Sequence, residues 1–226
     1  MFIKKIILHQ NSVSIAVADE NTPTADELFL LSLGEWKRVN RALGYDPDAE
    51  MMLTEGTPVD ESIYDAVRLA AEKTGALRLA ARMLENSDQS TSALLRKLEA
   101  KGFSPEASES AVSLLEKRGY LNDADACRNY AESAVKKNHY GRQRIYAYLI
   151  SHGYARDAAR EAVDALPDEQ IHDALLWQIS RKFPELAKDP AGIDRAQKQK
   201  AVQSLMRLGF TTEEILSAFR EMEKKK

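Results

Sequence analysis

One cysteine stands in 226 residues, so the chain forms no internal disulfide, and Cys127 has no second thiol with which to build a metal cluster. The four histidines, His9, His139, His152 and His172, show no ligand-type spacing with one another or with Cys127. Ten glycines assemble neither a Walker loop nor a dinucleotide fingerprint, which removes the usual phosphate cradles. No apolar run is long enough to span a bilayer, and the short run in "MFIKKIILHQ" breaks at His9 and Gln10, before signal-peptide length. Carboxylates are plentiful, as on any solvated helix face, but none is set beside a base in a catalytic pattern. The absences lead us to expect a folded, soluble, cytoplasmic protein, not an enzyme, with no cofactor, no metal and no membrane contact.

Charge is scarce in sum and uneven in place. Residues 1–65 carry five Lys/Arg against twelve Asp/Glu, and residues 66–226 carry 27 against 23, so an acidic front precedes a mildly basic body. Overall acidity argues against coating duplex DNA by charge alone, since such binding comes from neutralised phosphates.

The patterning changes along with the charge. Val13, Ile15 and Val17 in "SVSIAVAD" alternate with small or polar residues, the period of a half-buried strand, and "FIKKIIL" before the turn-like "HQNS" is a second strand. "DELFLLSLGEWKRV", residues 26–39, reads as a third strand or a short helix, with strand preferred. The Gly-, Pro- and Asp-rich "GYDPDAEMMLTEGTPVDES" reads as a linker. Asp60 then caps a helical run from Glu61 to Lys73, and no strand pattern follows.

Three stretches of the helical body share one form. "GFSPEASESAV" (102–112), "GYARDAAREAV" (153–163) and "GFTTEEILSAF" (209–219) fit G-[FY]-x7-A-[VF], with successive glycines 51 and 56 residues apart. Leu98, Leu149 and Leu205 each lie four residues before the glycine. Leu94, Ile145 and Ala201 lie eight before it, on the same helical face. The glycine suits a left-handed helix end. Ser104 with Pro105, and Thr211 with Glu214, are start signals for the next helix. A helix before each pair keeps the 51-residue offset, with Ala80 matching Ala131 and Leu84 matching Val135.

The expected fold is therefore mainly α: tandem three-helix repeats forming a curved, elongated body behind a small N-terminal β-containing segment. Its division is an acidic segment over 1–55, a leading helix and linker over 56–74, units over 75–119, 123–166 and 168–222, and a basic tail over 223–226. The third unit is longer, and "PELAKDPAGIDR" supplies the insertion.

The segment most suggestive of a partner is "KKNHYGRQR", 136–144. Lys136, Lys137, Arg142 and Arg144 give four positive charges without an acid, and His139 and Tyr140 add planar faces and donors. The arrangement suits phosphates or an acidic protein groove. It equally suits a solvated turn whose cations complement a helix C-terminus. Arg96 with Lys97, Arg195 with Lys198 and Lys200, and Arg207 form weaker basic faces.

Taken together, "LTEGTPVDESIYDAV", "ALRLAARMLENSDQSTSALLRKLEAKGFSPEASESAVSLLEKRGYLND" and "HYGRQRIYAYLISHGY" resemble the RecX family, bacterial regulators of the RecA recombinase. Gly119-Tyr120-Leu121-Asn122-Asp123 is similar to the family's junction between its first two units, and Gly141-x-x-Arg144-Ile145 with Leu149 and Gly153 to its second unit. Around Asp88-Gln89-Ser90 the chain departs from the family's arginine-rich approach. The resemblance covers roughly residues 50–220 and implies a non-catalytic monomer on the RecA filament, with weak contact to single- or double-stranded DNA. It implies restraint of ATP hydrolysis, strand exchange and co-protease function. The residues alone leave open a helical-repeat adaptor or a DNA-binding regulator, because short capped helix pairs also resemble helix-turn-helix units.

Overall fold

A computed structural model describes residues 1–19, 22–45, 52–87, 89–188 and 192–224. Three antiparallel strands come first, β1 (Phe2–Leu8), β2 (Ser12–Asp19) and β3 (Thr22–Ser32), with β2 in the middle. Alternation sends Val13, Ile15 and Val17 to one face, where Val13 pairs with Leu31 and Ile15 with Phe29. The stretch read as a third strand divides at Ser32. Its Oγ accepts from Glu35 N at 3.2 Å, and α1 (Leu33–Ala42) starts there. Trp36 and Val39 of α1 enter the same core as Phe29 and Leu31.

The linker reading also changes. Residues 46–51 lie outside the described residues, but 52–59 are packed, with Leu53 and Val59 buried. Ile3 N donates to Thr57 O and Val59 N to Met1 O, both at 2.9 Å, which covers the free edge of β1. Buried Asn40 holds the other end, accepting Leu53 N at 2.7 Å and donating to Trp36 O at 2.9 Å.

Helix α2 (Glu61–Asn86) begins where Asp60 Oδ1 accepts Ile63 N at 2.8 Å, and it runs unbroken past residue 74. Its Val67 and Ala70 close the sheet's core. Its Ala76 and Ala80 belong to a second core with α3 (Thr91–Ala100) and α4 (Pro105–Lys117), built on Leu94, Leu98, Ala111, Val112 and Leu115. The chain divides into two units, 1–89 with 94–121 and 90–93 with 122–226.

In the second unit α5 (Asp123–Ser133) passes into a π-helical turn, Ala134–Asn138. Then come α6 (Arg142–Ser151), α7 (Arg156–Asp164), α8 (Asp168–Lys182), α9 (Pro184–Lys188), α10 (Arg195–Arg207) and α11 (Thr212–Lys224). Within "PELAKDPAGIDR" residues 189–191 lie outside the described residues, as do Lys225 and Lys226 of the expected tail.

The three glycine turns are alike in geometry. Gly102, Gly153 and Gly209 have φ of 92°, 86° and 94°. Phe103, Tyr154 and Phe210 donate N–H to the carbonyls of Leu98, Leu149 and Leu205 at 3.2–3.3 Å. Those leucines are fully buried. At about 1.5–3 kcal/mol per buried leucine, each is a main anchor of its helix pair. Ser104 caps α4 with Pro105 behind it. Thr211 and Glu214 form the reciprocal capping box, Glu214 N to Thr211 Oγ1 at 3.2 Å and Thr211 N to Glu214 Oε2 at 2.7 Å.

Candidate functional site

The segment 136–144 is shaped by backbone constraints before its side chains matter. After the π-helical turn the chain reverses at His139, whose φ of 52° is the one positive value among described non-glycine residues. Buried Gln178 of α8 holds that bend, its Nε2 donating to the Asn138 and His139 carbonyls at 3.1 Å each. The His139 ring stacks on Trp177 at 3.9 Å between centroids, and the Arg181 guanidinium lies 4.9 Å from the same indole.

The start of α6 has no side-chain cap. Gly141 N donates to Leu208 O at 2.8 Å and Gln143 N to Gly209 O at 3.1 Å. The carbonyls that end α10 thus satisfy the orphan amides that begin α6. The approach is so close that a Cβ on Gly141 would lie 2.6 Å from Phe210 N and closer still to the Gly209 carbonyl.

This clasp separates the two arginines. Arg142, its side chain 22% exposed, donates Nη2 to Leu166 O at 2.6 Å and Asp168 Oδ1 at 2.7 Å, and Nη1 to Glu214 Oε1 at 3.4 Å. Its charge is committed to joining the end of α7 to the starts of α8 and α11. Arg144 is exposed, with its guanidinium carbon 4.1 Å from the Tyr140 ring centroid and Nη1 3.3 Å from Arg207 O.

The other cations vary in freedom. Lys136 pairs with Glu132 at 3.1 Å and Lys198 with Glu223 at 3.0 Å. Lys137, Arg195, Lys200 and Arg207 are exposed. In the first unit Arg96 and Lys97 are exposed on α3, Lys97 donating to Gln89. Tyr140, Arg144 and Arg207 are therefore brought together at the clasp.

Two features lie outside the residues singled out by sequence. Tyr148 is stacked on Tyr130 of α5 at 3.9 Å and 7° and on His152 at 3.7 Å and 22°, forming a three-ring column with Tyr148 in the middle. The spacing Arg144, Tyr148, His152 is its signal, because residues four apart share a helix face. Burial, then the neighbouring Tyr148 and Tyr140 phenols, push the Tyr130 hydroxyl up to about 12, against the pull of Arg144. The second feature is an open cleft of about 570 Å³ beside Arg142, floored by Ile171 and Leu175 and rimmed by Asp168, Glu213 and Glu214. These acids occupy the first turns of α8 and α11, where helix N-termini favour negative charge.

Cys127 is fully buried among Ala131, Ile145 and Leu149, and burial, then Asp123, raise its thiol to about 11. Among the described residues no three His, Cys, Asp or Glu gather as metal ligands, and no helix is long and apolar enough to cross a membrane.

No protein-family model matches the chain. It is 34% identical over 142 residues to the regulatory protein RecX of Xanthomonas campestris pv. campestris, covering 61% of this chain and 82% of that protein. The Thermus thermophilus regulatory protein RecX is 30% identical over 145 residues, with 64% and 90% covered. The Lactobacillus johnsonii protein of that name is 27% identical over 168 residues, a match that spans 60% of its length. A crystal structure of regulatory protein RecX superposes with a TM-score of 0.71 over 99% of this chain and 98% of that one, at 17% identity. RecX from Lactobacillus salivarius gives a TM-score of 0.62 over 68% of this chain, also at 17% identity. These two likenesses establish the mainly α fold.

Proposed function

The chain belongs to the RecX family of regulatory proteins, and from that membership we propose that it is a non-catalytic regulator that binds the RecA–DNA filament. In this reading it restrains the recombinase's ATP hydrolysis, strand exchange and co-protease function, and it acts in the cytoplasm as a monomer.

The observation that carries the proposal is the 34% identity extending over 82% of the Xanthomonas protein. The site geometry agrees with it. Arg144 is presented from a helix start braced by the α10 carbonyls, so little side-chain and backbone freedom remains to be lost on meeting an acidic groove or a phosphate. Lys137 and Arg207 add exposed charge in the same unit. Several weak contacts of this kind, repeated along a filament, add to a useful affinity.

The test is DNA-stimulated ATP hydrolysis by the cognate recombinase, with this chain added below stoichiometric amounts. Slowed hydrolysis is expected. An unchanged rate, together with tight duplex binding in the recombinase's absence, would replace the proposal with a DNA-binding regulator.

A further inference from the structure

Tyr130 packs against the core, but the rings at Tyr148 and His152 are not demanded by the fold. The 51-residue offset, which matches helix starts and glycine turns, places Leu79, Lys97 and Lys101 at the corresponding positions of the preceding repeat. With the 56-residue offset, Tyr148 and His152 correspond to Ser204 and Leu208. The same turn, with the same hydrogen bond to a buried leucine carbonyl, forms in all three places. The core side of α6 is already supplied by Ile145 and Leu149, both fully buried. Tyr148 is instead 38% exposed and His152 is exposed, so the column stands at the surface.

Its orientation is fixed. His152 Nδ1 lies 2.8 Å from Tyr148 O and 3.1 Å from Ser151 Oγ, which holds the imidazole flat against Tyr148. On the same face, one helical turn before Tyr148, is Arg144. A rigid stack of parallel rings, open at its His152 end and with a guanidinium one turn before Tyr148, offers a flat face for a base and a cation for the phosphates beside it. Any base has a face to stack, so the match is to single strands without sequence preference.

We propose that the outer face of His152, with Tyr148 and Tyr130 stacked behind it, is a stacking platform for an unpaired nucleobase of single-stranded DNA, with Arg144 meeting the phosphates. The platform rests on the filament reading for the source of the strand. It is tested without recombinase, so that the two fail separately.

The decisive variant is Tyr148→Lys with His152→Lys, which installs the side-chain type found at Lys97 and Lys101 and adds positive charge. Binding is read by anisotropy of a fluorescein-labelled oligothymidylate and of an abasic strand of equal length. Stacking on this scale predicts about ten-fold weaker oligothymidylate binding by the variant despite its added charge, with abasic binding equal or tighter. His152→Trp guards against loss of fold, since it keeps an aromatic ring at the open end of the stack. Its added emission is expected to be quenched by oligothymidylate and not by the abasic strand. Equal or tighter oligothymidylate binding by the double-lysine variant, equal wild-type affinity for the two strands, or an unquenched tryptophan each overturns the platform. Inhibited ATP hydrolysis alongside any of those outcomes leaves the filament reading standing. Uninhibited hydrolysis with normal stacking overturns that reading alone.

Discussion

Gly102, Gly141 and Gly209 allow two costs of a methyl group to be measured apart. At Gly102 φ is 92° and a new Cβ meets nothing within 4 Å, so Gly102→Ala carries only the left-handed backbone cost, about 1–2 kcal/mol. Gly141 has an ordinary φ of −80°, but its Cβ would press on Phe210 N at 2.6 Å and on the Gly209 carbonyl. Gly209 has both problems: φ is 94°, and its Cβ would lie 2.6 Å from Arg144 Cβ and 2.7 Å from Gly141 O. Separations under 3.0 Å are essentially never seen for real Cβ atoms, and the obstacles here are backbone or Cβ, which have no rotamer with which to escape. Overpacking of this kind costs about 1–3 kcal/mol. Parting the α6 start from the α10–α11 turn also strains the Gly141–Leu208 and Gln143–Gly209 hydrogen bonds, each worth about 0.5–1.5 kcal/mol.

The expected order of loss is Gly209→Ala at about 3–5 kcal/mol, Gly141→Ala at about 2–4, and Gly102→Ala at about 1–2. Urea unfolding followed by circular dichroism gives the totals. Hydrogen exchange of the Phe103 and Phe210 amides, which make the same bond in two turns, locates the effect. Equal losses for Gly102→Ala and Gly209→Ala, or a neutral Gly141→Ala, would refute the clasp.

The two arginines are expected to part company as well. Arg142→Ala orphans the Leu166 carbonyl and two carboxylate contacts and lowers stability by about 1–3 kcal/mol, whereas Arg144→Ala, losing an exposed ring contact, costs under about 1. Thermal melts check this, and recombinase inhibition is expected to fall with Arg144 while the fold persists. Cys127, buried and with its thiol raised to about 11, is expected to resist Ellman's reagent at pH 8 until the chain is unfolded. Tyr130, raised from 10 to about 12, holds its proton more tightly in the folded state. Its contribution to stability is full below pH 10 and is lost as pH rises through 12. Phenolate absorbance at 295 nm should show a late-titrating tyrosine that Tyr130→Phe removes.

Much of the fold was legible because its signals are local. Asp60, Ser104 with Pro105, and Thr211 with Glu214 announce helix starts within four residues, and a glycine four residues after a leucine announces an end. The errors arose where a local signal was outvoted or a distant one ruled. Ser32 and Glu35 carry the cap that starts α1, but the apolar run "LFLLSL" before and across it reads as strand. Residues 52–59 have the Gly and Pro of a linker, yet their partners are β1 and Asn40, out of reach of any window. The same limit governs the site. Arg142 looks identical in character to Arg144 until Leu166, Asp168 and Glu214 fold around it, 24, 26 and 72 residues away.

The helices that precede the three glycine turns also show why the basic segment depends on its surroundings. Helix α3 has a side-chain cap: Ser90 Oγ accepts Ala93 N at 3.2 Å, while Asp123 Oδ1 accepts Thr91 N at 3.0 Å. Helix α10 does likewise, with Asp194 Oδ1 accepting Gln197 N at 2.7 Å. Helix α6 has Gly141 at its N-cap, and glycine has no side chain to offer, so the carbonyls of Leu208 and Gly209 take over that task. Glycine is needed there because a side chain would fill the space those carbonyls occupy. An autonomous cap has therefore been given up for a borrowed one, and the first turn of α6, which carries both arginines, inherits the stability of the α10–α11 turn. Loosening that turn at Gly209 should fray Arg142 and Arg144 together while leaving α3, with its own serine cap, unaffected.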